Sequence, residues 1–270
     1  MPTLYLSDLD GTLLRSDKRT SDFTNETLNR LIGEGMIFSY ATARSQLTAA
    51  RITSGIRAHF PVIVFNGAFI LENGTGRQIA ANYFTPAETE RLRRTLLGGG
   101  AEPIVYAHID GAERYSFRHD RLSDGSKAFN AIRTGDPRER SIQTEDELFA
   151  GNVFSIACFE REEVLEPLYR ALKDDFHVVD GIEMYTKWPW LHMTSKAATK
   201  SAAALQLKEL LGCDRIVAFG DSENDLDLFE IADECYAVEN AVDALKQRAT
   251  GIIGSNDSDG VARWLAENFR

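Results

Sequence analysis

The sequence predicts an α/β fold in which both ends of the chain build a parallel-sheet core and an α+β domain is inserted between them. Three observations predict it. Strands and helices alternate at the N-terminus, this rhythm changes near Thr85, and it returns from Lys200 onward. We therefore expect a core of residues 1–82 and 191–270 and an inserted domain of residues 83–190, whose size is that of an ordinary domain.

The first strand is predicted from TLYLSDLDG, because Leu4 and Leu6 alternate with Tyr5 and the run stops at Gly11. Helical spacing of apolar residues then predicts a helix, and short apolar runs predict further strands. In order, these elements are a helix over Thr24–Glu34 with Thr24 as N-cap and Gly35 as C′ residue, the strand MIFSYAT, a helix over Ser45–Ile56, the strand PVIVF and a hairpin over FILENGTGRQIAANY.

The inserted domain is predicted to open with a capped helix, PAETERLRRTLL, which ends in three glycines. Short β-like runs follow it: IVYAHI, ERYSF and VFSIACF. The core then resumes with the helix TKSAAALQLKELLG, the strand RIVAFG, a helix, the strand CYAVE, another helix and a closing helix near GVARWLAENF.

Composition limits the classes of partner. The chain has 30 basic and 41 acidic residues, a net charge of −11 and no basic stripe, which disfavours nucleic acid and anionic membranes as partners. Its three cysteines form no CxxC pair, so we expect no disulfide framework. Without a recognisable signal peptide or long apolar segment we expect a cytoplasmic protein, whose oligomeric state the sequence does not indicate.

Polar side chains follow the predicted core strands at the point where each strand ends. The carboxyl ends of parallel strands meet at one edge of a sheet, where ligands bind. We therefore expect one cluster that contains Asp8, Asp10, Thr42, Asn66, Gly67, Asp221, Asn224 and Asp225.

Four carboxylates at one edge repel one another by roughly 4 kcal/mol per close pair in a partly screened setting, so a cation should hold them together. The five histidines show no metal-ligand spacing, and the cluster contains no cysteine. An all-oxygen, carboxylate-rich set favours a hard cation, and we expect Mg²⁺.

The spacing of Asp8 and Asp10 suggests two chemical roles. A carboxylate can attack phosphorus, and an aspartyl-phosphate at Asp8 would split one difficult displacement into two easier ones. Asp10 would protonate the leaving oxygen and later accept a proton from water. Gly11 permits a tight backbone turn, which the Thr12 hydroxyl would hold.

Four motifs in this order resemble those of the haloacid dehalogenase superfamily of phosphohydrolases: DLDGTL, the threonine of ATAR, the lysine of TKSAAAL and GDSENDLDLF. The site of the insertion, FNGAFI and NDSDGVARWL resemble its Cof-like branch. The resemblance implies a Rossmann-like three-layer core and an inserted cap domain that determines substrate specificity.

The resemblance also implies a role for each site residue. Asp8 would be the nucleophile and Asp10 the general acid and base. Magnesium would be bound by the carboxylates of Asp8 and Asp221 and by the main-chain carbonyl of Asp10.

Other motif residues would contact the substrate or support the site. By the same resemblance Thr42 and Lys200 would bind the transferring phosphoryl group, Asn224 would touch the phosphate, Asp225 would orient the metal shell or Lys200, and Asn66 and Gly67 would lie near the substrate. Lys196 is the rival of Lys200, which opens the helix as the family lysine does. Position 43 is alanine where the family commonly has glycine.

We therefore expect a magnesium-dependent phosphomonoester hydrolase that acts through an aspartyl-phosphate on a small phosphorylated metabolite, with sugar phosphates as the first guess. Two alternatives stay open. A phosphosugar mutase would use the same chemistry at Asp8 but exclude water from the second step. A non-catalytic sensor would only bind a phosphorylated metabolite.

Overall fold

A computed structural model gives the structure of the protein, and it describes residues 1–57, 59–183 and 186–269. The chain divides into two compact units. One, called here the core unit, is formed by Met1–Ala81 and Ala198–Arg270, and the other, the insert unit, by Asn82–Ala197.

Fourteen strands lie within the described residues, and they form three sheets. They are β1 (Thr3–Ser7), β2 (Ile37–Tyr40), β3 (Val62–Val64), β4 (Phe69–Leu71), β5 (Gln78–Ala81), β6 (Ile104–Ile109), β7 (Ala112–Arg118), β8 (Glu139–Ile142), β9 (Asn152–Cys158), β10 (His177–Ile182), β11 (Pro189–Thr194), β12 (Arg215–Gly220), β13 (Glu234–Val238) and β14 (Gly251–Ile253).

Ten α-helices lie in the same described part of the chain. They are α1 (Asp22–Gly33), α2 (Gln46–Ile52), α3 (Pro86–Gly98), α4 (Asp124–Ala131), α5 (Glu145–Leu148), α6 (Glu162–Leu172), α7 (Lys200–Leu210), α8 (Leu226–Ile231), α9 (Asp243–Lys246) and α10 (Gly260–Asn268).

The core unit is built on a five-stranded parallel sheet in the order β14-β13-β12-β1-β2. The alternating leucines of β1 are fully buried, as the sequence pattern predicts. Helix α1 packs against α10, and α7 packs against α8. The predicted α/β class is confirmed.

The order of the strands fixes where a ligand site can form. From β1 the chain proceeds to β2 on one side, whereas β12, the next core strand after the insert, pairs with the other side of β1. Such a reversal of strand order leaves the loops at the carboxyl ends of the two strands free to diverge, and this opening is where α/β sheets bind ligands. Asp8 directly follows β1, and Asp221 directly follows β12.

A small antiparallel sheet, β3-β4-β5, continues the core unit beyond β2. A parallel bridge between Ala41 and Ile63 joins β2 to β3. This link brings the loops after β2 and β3 side by side.

Some predicted helix ends were wrong. The N-cap of α1 is Ser21, whose hydroxyl accepts the amide hydrogen of Thr24, so the residue predicted as the cap lies inside the first turn. Gly35 is the C′ residue as predicted, with a φ of 101°. Helix α2 ends at Ile52, four residues before the predicted end.

The insert unit is a six-stranded sheet in the order β10-β11-β9-β6-β7-β8, with only β7 and β8 parallel. Helices α3 and α6 contribute buried leucines to its larger apolar cluster. Strand β11 pairs with β9 and β10 as far as Thr194, which explains why the insert unit extends to Ala197, beyond the predicted boundary at residue 190.

Several features outside the site have structural roles. The Trp190 ring stacks near Phe159 and His192, at centroid distances of 6.3 and 5.4 Å, so it packs within the insert unit. All three cysteines are free and buried. Across the described ranges, no helix combines the length and the apolar character needed to span a membrane.

Gly260, the first residue of α10, lies against the backbone of Gly254. A Cβ atom at Gly260 would lie 1.8 Å from the Gly254 carbonyl oxygen, whereas one at Gly33, near the end of α1, meets nothing within 4 Å. Gly260→Ala should therefore lower the free energy of unfolding by about 1–3 kcal/mol through overpacking, and the matched Gly33→Ala should not. Thermal unfolding followed by circular dichroism measures this, and equal melting temperatures would contradict the assigned contact.

Candidate active site

Asp8 directly follows β1 and is almost completely buried, with 4% of its surface exposed. Its amide donates a hydrogen bond to the Phe219 carbonyl at 2.9 Å, which continues the pairing of β1 with β12. Burial raises the pKa of the Asp8 carboxyl well above its usual value, and the Lys200 ammonium opposes that rise. The fold thus holds a carboxylate in an apolar interior beside a cation.

Lys200 is the cation at the centre of the site. It is the first residue of α7 and is 1% exposed. Its ammonium donates to Asp8 Oδ1 at 2.5 Å and to Asp225 Oδ1 at 2.7 Å. Burial acts to lower the pKa of Lys200, but the two carboxylates outweigh it and raise the pKa.

The rival lysine lies elsewhere. Lys196 is exposed in the insert unit, where its ammonium donates to the Asp174 carbonyl at 2.8 Å. The structure therefore brings Lys200, and not Lys196, to the Asp8 carboxylate.

Asp221 approaches Asp8 from the loop after β12. The Thr12 hydroxyl donates to Asp221 Oδ1 at 3.0 Å, so this hydroxyl joins two loops and does not merely hold its own turn, as had been expected. Burial, followed by the nearby charge of Asp225, raises the pKa of Asp221 to about 6.

Gly11 is required for this approach. It has a φ of 76°, and a Cβ atom there would lie 2.3 Å from Asp221 Oδ2. Gly11 therefore allows the turn after β1 and the Asp221 carboxylate to come together.

Asp225 is fully buried and organises the loop after β12. Its Oδ1 accepts from Lys200, and its Oδ2 accepts from the amides of Asp221 and Ser222 at 3.0 and 3.2 Å. Both oxygens are thus engaged in hydrogen bonds that set the position of Lys200 and of the Asp221 backbone.

Asp8, Asp221 and Asp225 form an acidic cluster that can hold a cation. One oxygen from each lies within 4.8 Å of the others, and no second group of this kind occurs within residues 1–57, 59–183 and 186–269. Three carboxylates against the one ammonium of Lys200 leave two negative charges when all are ionised. Because those charges are buried, they strongly favour binding of a divalent cation.

Thr42 is buried in the loop after β2. Its amide donates to the Ile63 carbonyl, and its own carbonyl accepts from the Asn66 amide at 2.9 Å. Its hydroxyl oxygen accepts from the Arg44 amide at 3.1 Å, which leaves the hydroxyl hydrogen available for an anion.

Asn66, Gly67 and Asn224 are brought together with the start of α7. Asn224 donates through its side-chain amide to Asn66 Oδ1 at 3.3 Å. Gly67 has a φ of 99°, and a Cβ atom there would lie 2.0 Å from the Thr199 carbonyl oxygen, next to Lys200. The loop after β3 therefore packs against the helix that carries the central lysine.

Asp10 lies outside the acidic cluster. Its carboxylate accepts two hydrogen bonds from the Arg44 guanidinium, Nε to Oδ2 at 2.6 Å and Nη2 to Oδ1 at 2.5 Å. The sequence interpretation missed Arg44. A signal was available, because Arg44 lies two residues after Thr42 on a loop predicted to reach the same edge of the sheet.

Comparisons with known proteins identify the family of this chain. The sequence matches the haloacid dehalogenase-like hydrolase family over residues 5–265. It is 28% identical to a 5-amino-6-(5-phospho-D-ribitylamino)uracil phosphatase of Bacillus subtilis, over 99% of this chain and 98% of that protein. It is 24% identical to the pyridoxal phosphate phosphatase of Escherichia coli, over 96% and 95% of the two chains.

Solved structures share the fold. A crystal structure of a protein from Thermotoga maritima superposes with a TM-score of 0.80 at 22% identity, and the match covers 100% of this chain and 98% of that one. A haloacid dehalogenase-like hydrolase from Bacteroides thetaiotaomicron gives 0.80 at 21% identity over the whole of both chains. The chain therefore belongs to the haloacid dehalogenase-like hydrolases, the family that its motifs resemble.

Proposed function

We propose that this protein is a magnesium-dependent phosphomonoester hydrolase that acts through an aspartyl-phosphate on a small phosphorylated metabolite. Membership of the hydrolase family and relatives that are named as phosphatases support the phosphatase activity. The observation that supports the rest is the buried Asp8 carboxylate, held 2.5 Å from the Lys200 ammonium beside a second acidic loop.

Magnesium fits the donor set. We assign its binding to the carboxylates of Asp8 and Asp221 and the main-chain carbonyl of Asp10, an all-oxygen set that leaves room for water and phosphate ligands. Asp225 belongs to the same acidic cluster, but its oxygens already accept from Lys200 and from two amides. We therefore assign Asp225 the task of positioning Lys200 and the Asp221 loop. When bound, Mg²⁺ would neutralise charge on the phosphoryl oxygens and on the nucleophile.

Asp8 performs the first step. A carboxylate oxygen of Asp8 attacks phosphorus while the bond from phosphorus to the leaving oxygen breaks. Asp10 donates its proton to that leaving oxygen, so a neutral alcohol departs. Lys200 offsets the repulsion between the attacking carboxylate and the phosphate dianion.

The second step regenerates the enzyme. Asp10, now ionised, accepts a proton from water as the water oxygen attacks the phosphorus of the aspartyl-phosphate. The bond from phosphorus to the Asp8 oxygen breaks, which releases inorganic phosphate and restores the carboxylate.

The phosphoryl group would be bound by Thr42, Lys200 and Asn224. The Thr42 hydroxyl hydrogen and the Lys200 ammonium are donors suited to an anion. Asn66 and Gly67 would lie near the substrate, where their backbone conformations of positive φ set the loop after β3.

The substrate is a small phosphorylated metabolite, and a sugar phosphate remains our first choice within that class. The Bacillus subtilis relative named above acts on a phosphate carried by a ribityl group, whereas the Escherichia coli relative acts on pyridoxal phosphate. Substrate selection is assigned to the insert unit, because the site residues of the core unit address only the phosphate and its transfer.

Replacement of the nucleophile is the direct test. Asp8→Asn should lower the rate of phosphate release from 4-nitrophenyl phosphate by roughly 10³-fold or more, because an amide cannot form the aspartyl-phosphate. Asp214→Asn is the matched control and should keep full activity. Asp214 is exposed and directly precedes β12, whereas the site residue Asp221 follows the other end of that strand. Activity that survives Asp8→Asn would reject Asp8 as the nucleophile.

Metal dependence is the second test. Chelation by EDTA should abolish activity and added Mg²⁺ should restore it. Asp221→Asn should raise the Mg²⁺ concentration that gives half-maximal activity by about tenfold or more, because it removes a proposed ligand. Replacing residues that only hold a metal ligand in place already weakens metal binding by about that factor. The exposed Asp243→Asn serves as control. Full activity in EDTA, with no effect of Asp221→Asn, would exclude the proposed metal role.

Labelled water separates hydrolysis from phosphotransfer. In H₂¹⁸O a hydrolase places solvent oxygen in the released phosphate, because water attacks phosphorus in the second step, and mass spectrometry detects it. A mutase would instead return the phosphoryl group to a second sugar without solvent label. A sensor would release no phosphate at all.

A further inference from the structure

The Asp10 carboxylate is held differently from that of Asp8. Asp8 is fixed by burial and by Lys200, whereas the Asp10 side chain is 40% exposed. Asp10 lies in an irregular helical turn, Leu9–Leu13, and its own φ and ψ of −74° and 121° are not helical. Neither burial nor regular secondary structure therefore fixes the direction of this carboxylate.

The Arg44 guanidinium provides that orientation. Its Nε and Nη2 atoms each bond a different oxygen of Asp10, at 2.6 and 2.5 Å. Two parallel hydrogen bonds fix the plane of a carboxylate as well as its position, which a single point charge does not. Each oxygen keeps another lone pair, through which it can carry and transfer a proton.

Arg44 itself stands on a well-fixed backbone. Its amide donates to the Thr42 hydroxyl at 3.1 Å, and its carbonyl accepts from the Phe65 amide at 3.0 Å. The next residue, Ser45, caps α2. The loops after β2 and β3 thus both support the residue that holds Asp10.

We propose that Arg44 is a positioning residue for Asp10: its guanidinium keeps the carboxylate aimed for proton transfer, and it acts on the reaction through Asp10 alone. This inference rests on the proposed acid and base role of Asp10. Pre-orientation of a catalytic group removes an entropic part of the barrier, so its loss slows only the step in which that group takes part.

Two substrates whose leaving groups differ in their need for a proton test whether Arg44 affects the proton transfer from Asp10. The value of kcat/KM reports the reaction up to departure of the leaving group, and an alkoxide needs a proton from Asp10 whereas 4-nitrophenolate departs without one. Arg44→Ala should lower kcat/KM for β-glycerophosphate by roughly 10- to 100-fold and for 4-nitrophenyl phosphate by less than about threefold. Arg44→Gln, which keeps more of the side chain, should show the same selectivity.

A double-mutant cycle tests whether Arg44 acts through Asp10. In an Asp10→Asn background, further replacement of Arg44 by alanine should change kcat/KM for β-glycerophosphate by less than about twofold, because there is no acid left to orient. Inhibition by inorganic phosphate should be unchanged in Arg44→Ala. Additive losses, or weaker phosphate inhibition, would show that Arg44 binds the phosphoryl group directly and would overturn the proposal.

Two comparisons keep the outcomes distinct. Arg215 forms an ion pair with Glu234 at 2.6 Å, and it lies at the end of β12 that is remote from Asp221. Arg215→Ala therefore removes an arginine–carboxylate pair outside the site and should leave kcat/KM unchanged for both substrates. If Asp10→Asn itself slows both substrates equally, the proposed role of Asp10 fails. If Asp10→Asn is selective for β-glycerophosphate and Arg44→Ala is not, only the role of Arg44 fails.

Discussion

The contact between Lys200 and two buried carboxylates is the interaction on which the rest of the site depends. Burial of a carboxylate is costly, and here three lie close together with one ammonium between two of them. The net charge of the ionised cluster is negative, because the lysine offsets only one of the three carboxylate charges. A further positive charge would balance the remaining negative charge of the ionised cluster, and the proposed divalent cation would supply it. The same imbalance makes the site suitable for binding a phosphate together with that cation.

Topology is what brings these groups together. Lys200 and Asp8 are 192 residues apart in sequence, but β1 and β12 are neighbours in one parallel sheet. Their carboxyl ends therefore deliver Asp8 and Asp221 to one place, and the insert unit is accommodated without disturbing that pairing. Small residues then allow the close approach, since any side chain at Gly11 would collide with the Asp221 carboxylate. The acidic cluster thus forms because β1 and β12 are neighbours in the sheet and because the turn that contains Gly11 leaves room for Asp221.

Much of this was predictable because it follows from local patterns. Alternating leucines identified β1, the Ala/Leu-rich segment identified α7, and the rule for parallel strand ends placed most site residues at one edge. The rest depends on tertiary contacts that periodicity does not encode. The Thr12 hydroxyl was expected to hold its own turn, but its partner is Asp221. Ser21 replaces Thr24 as the N-cap of α1, because Ser21 lies three residues earlier and is equally suitable by type.

The inserted domain was less predictable for a related reason. Strand β8 is only four residues long, and β10 shows no alternation of buried and exposed positions, because its last three residues are all exposed. The end of the insertion is set by β11, whose register with β9 and β10 the sequence does not reveal. Boundaries that depend on strand pairing are therefore less certain than the elements themselves.

Two carboxylates only two residues apart receive different chemistry from their surroundings. Asp8 follows the strand into the interior, where it faces an ammonium and two other carboxylates, and this environment suits a nucleophile screened from water. Asp10 lies past a break in regular structure, is partly exposed and faces a guanidinium fork, and this environment suits a group that exchanges protons with a leaving group and with water. The irregular turn Leu9–Leu13 begins directly after Asp8, so the two carboxylates lie on different sides of the point where the strand has ended. The proposed nucleophile and the proposed acid-base group can therefore lie two residues apart in sequence, because regular strand structure ends between them and gives each carboxylate a different set of neighbours.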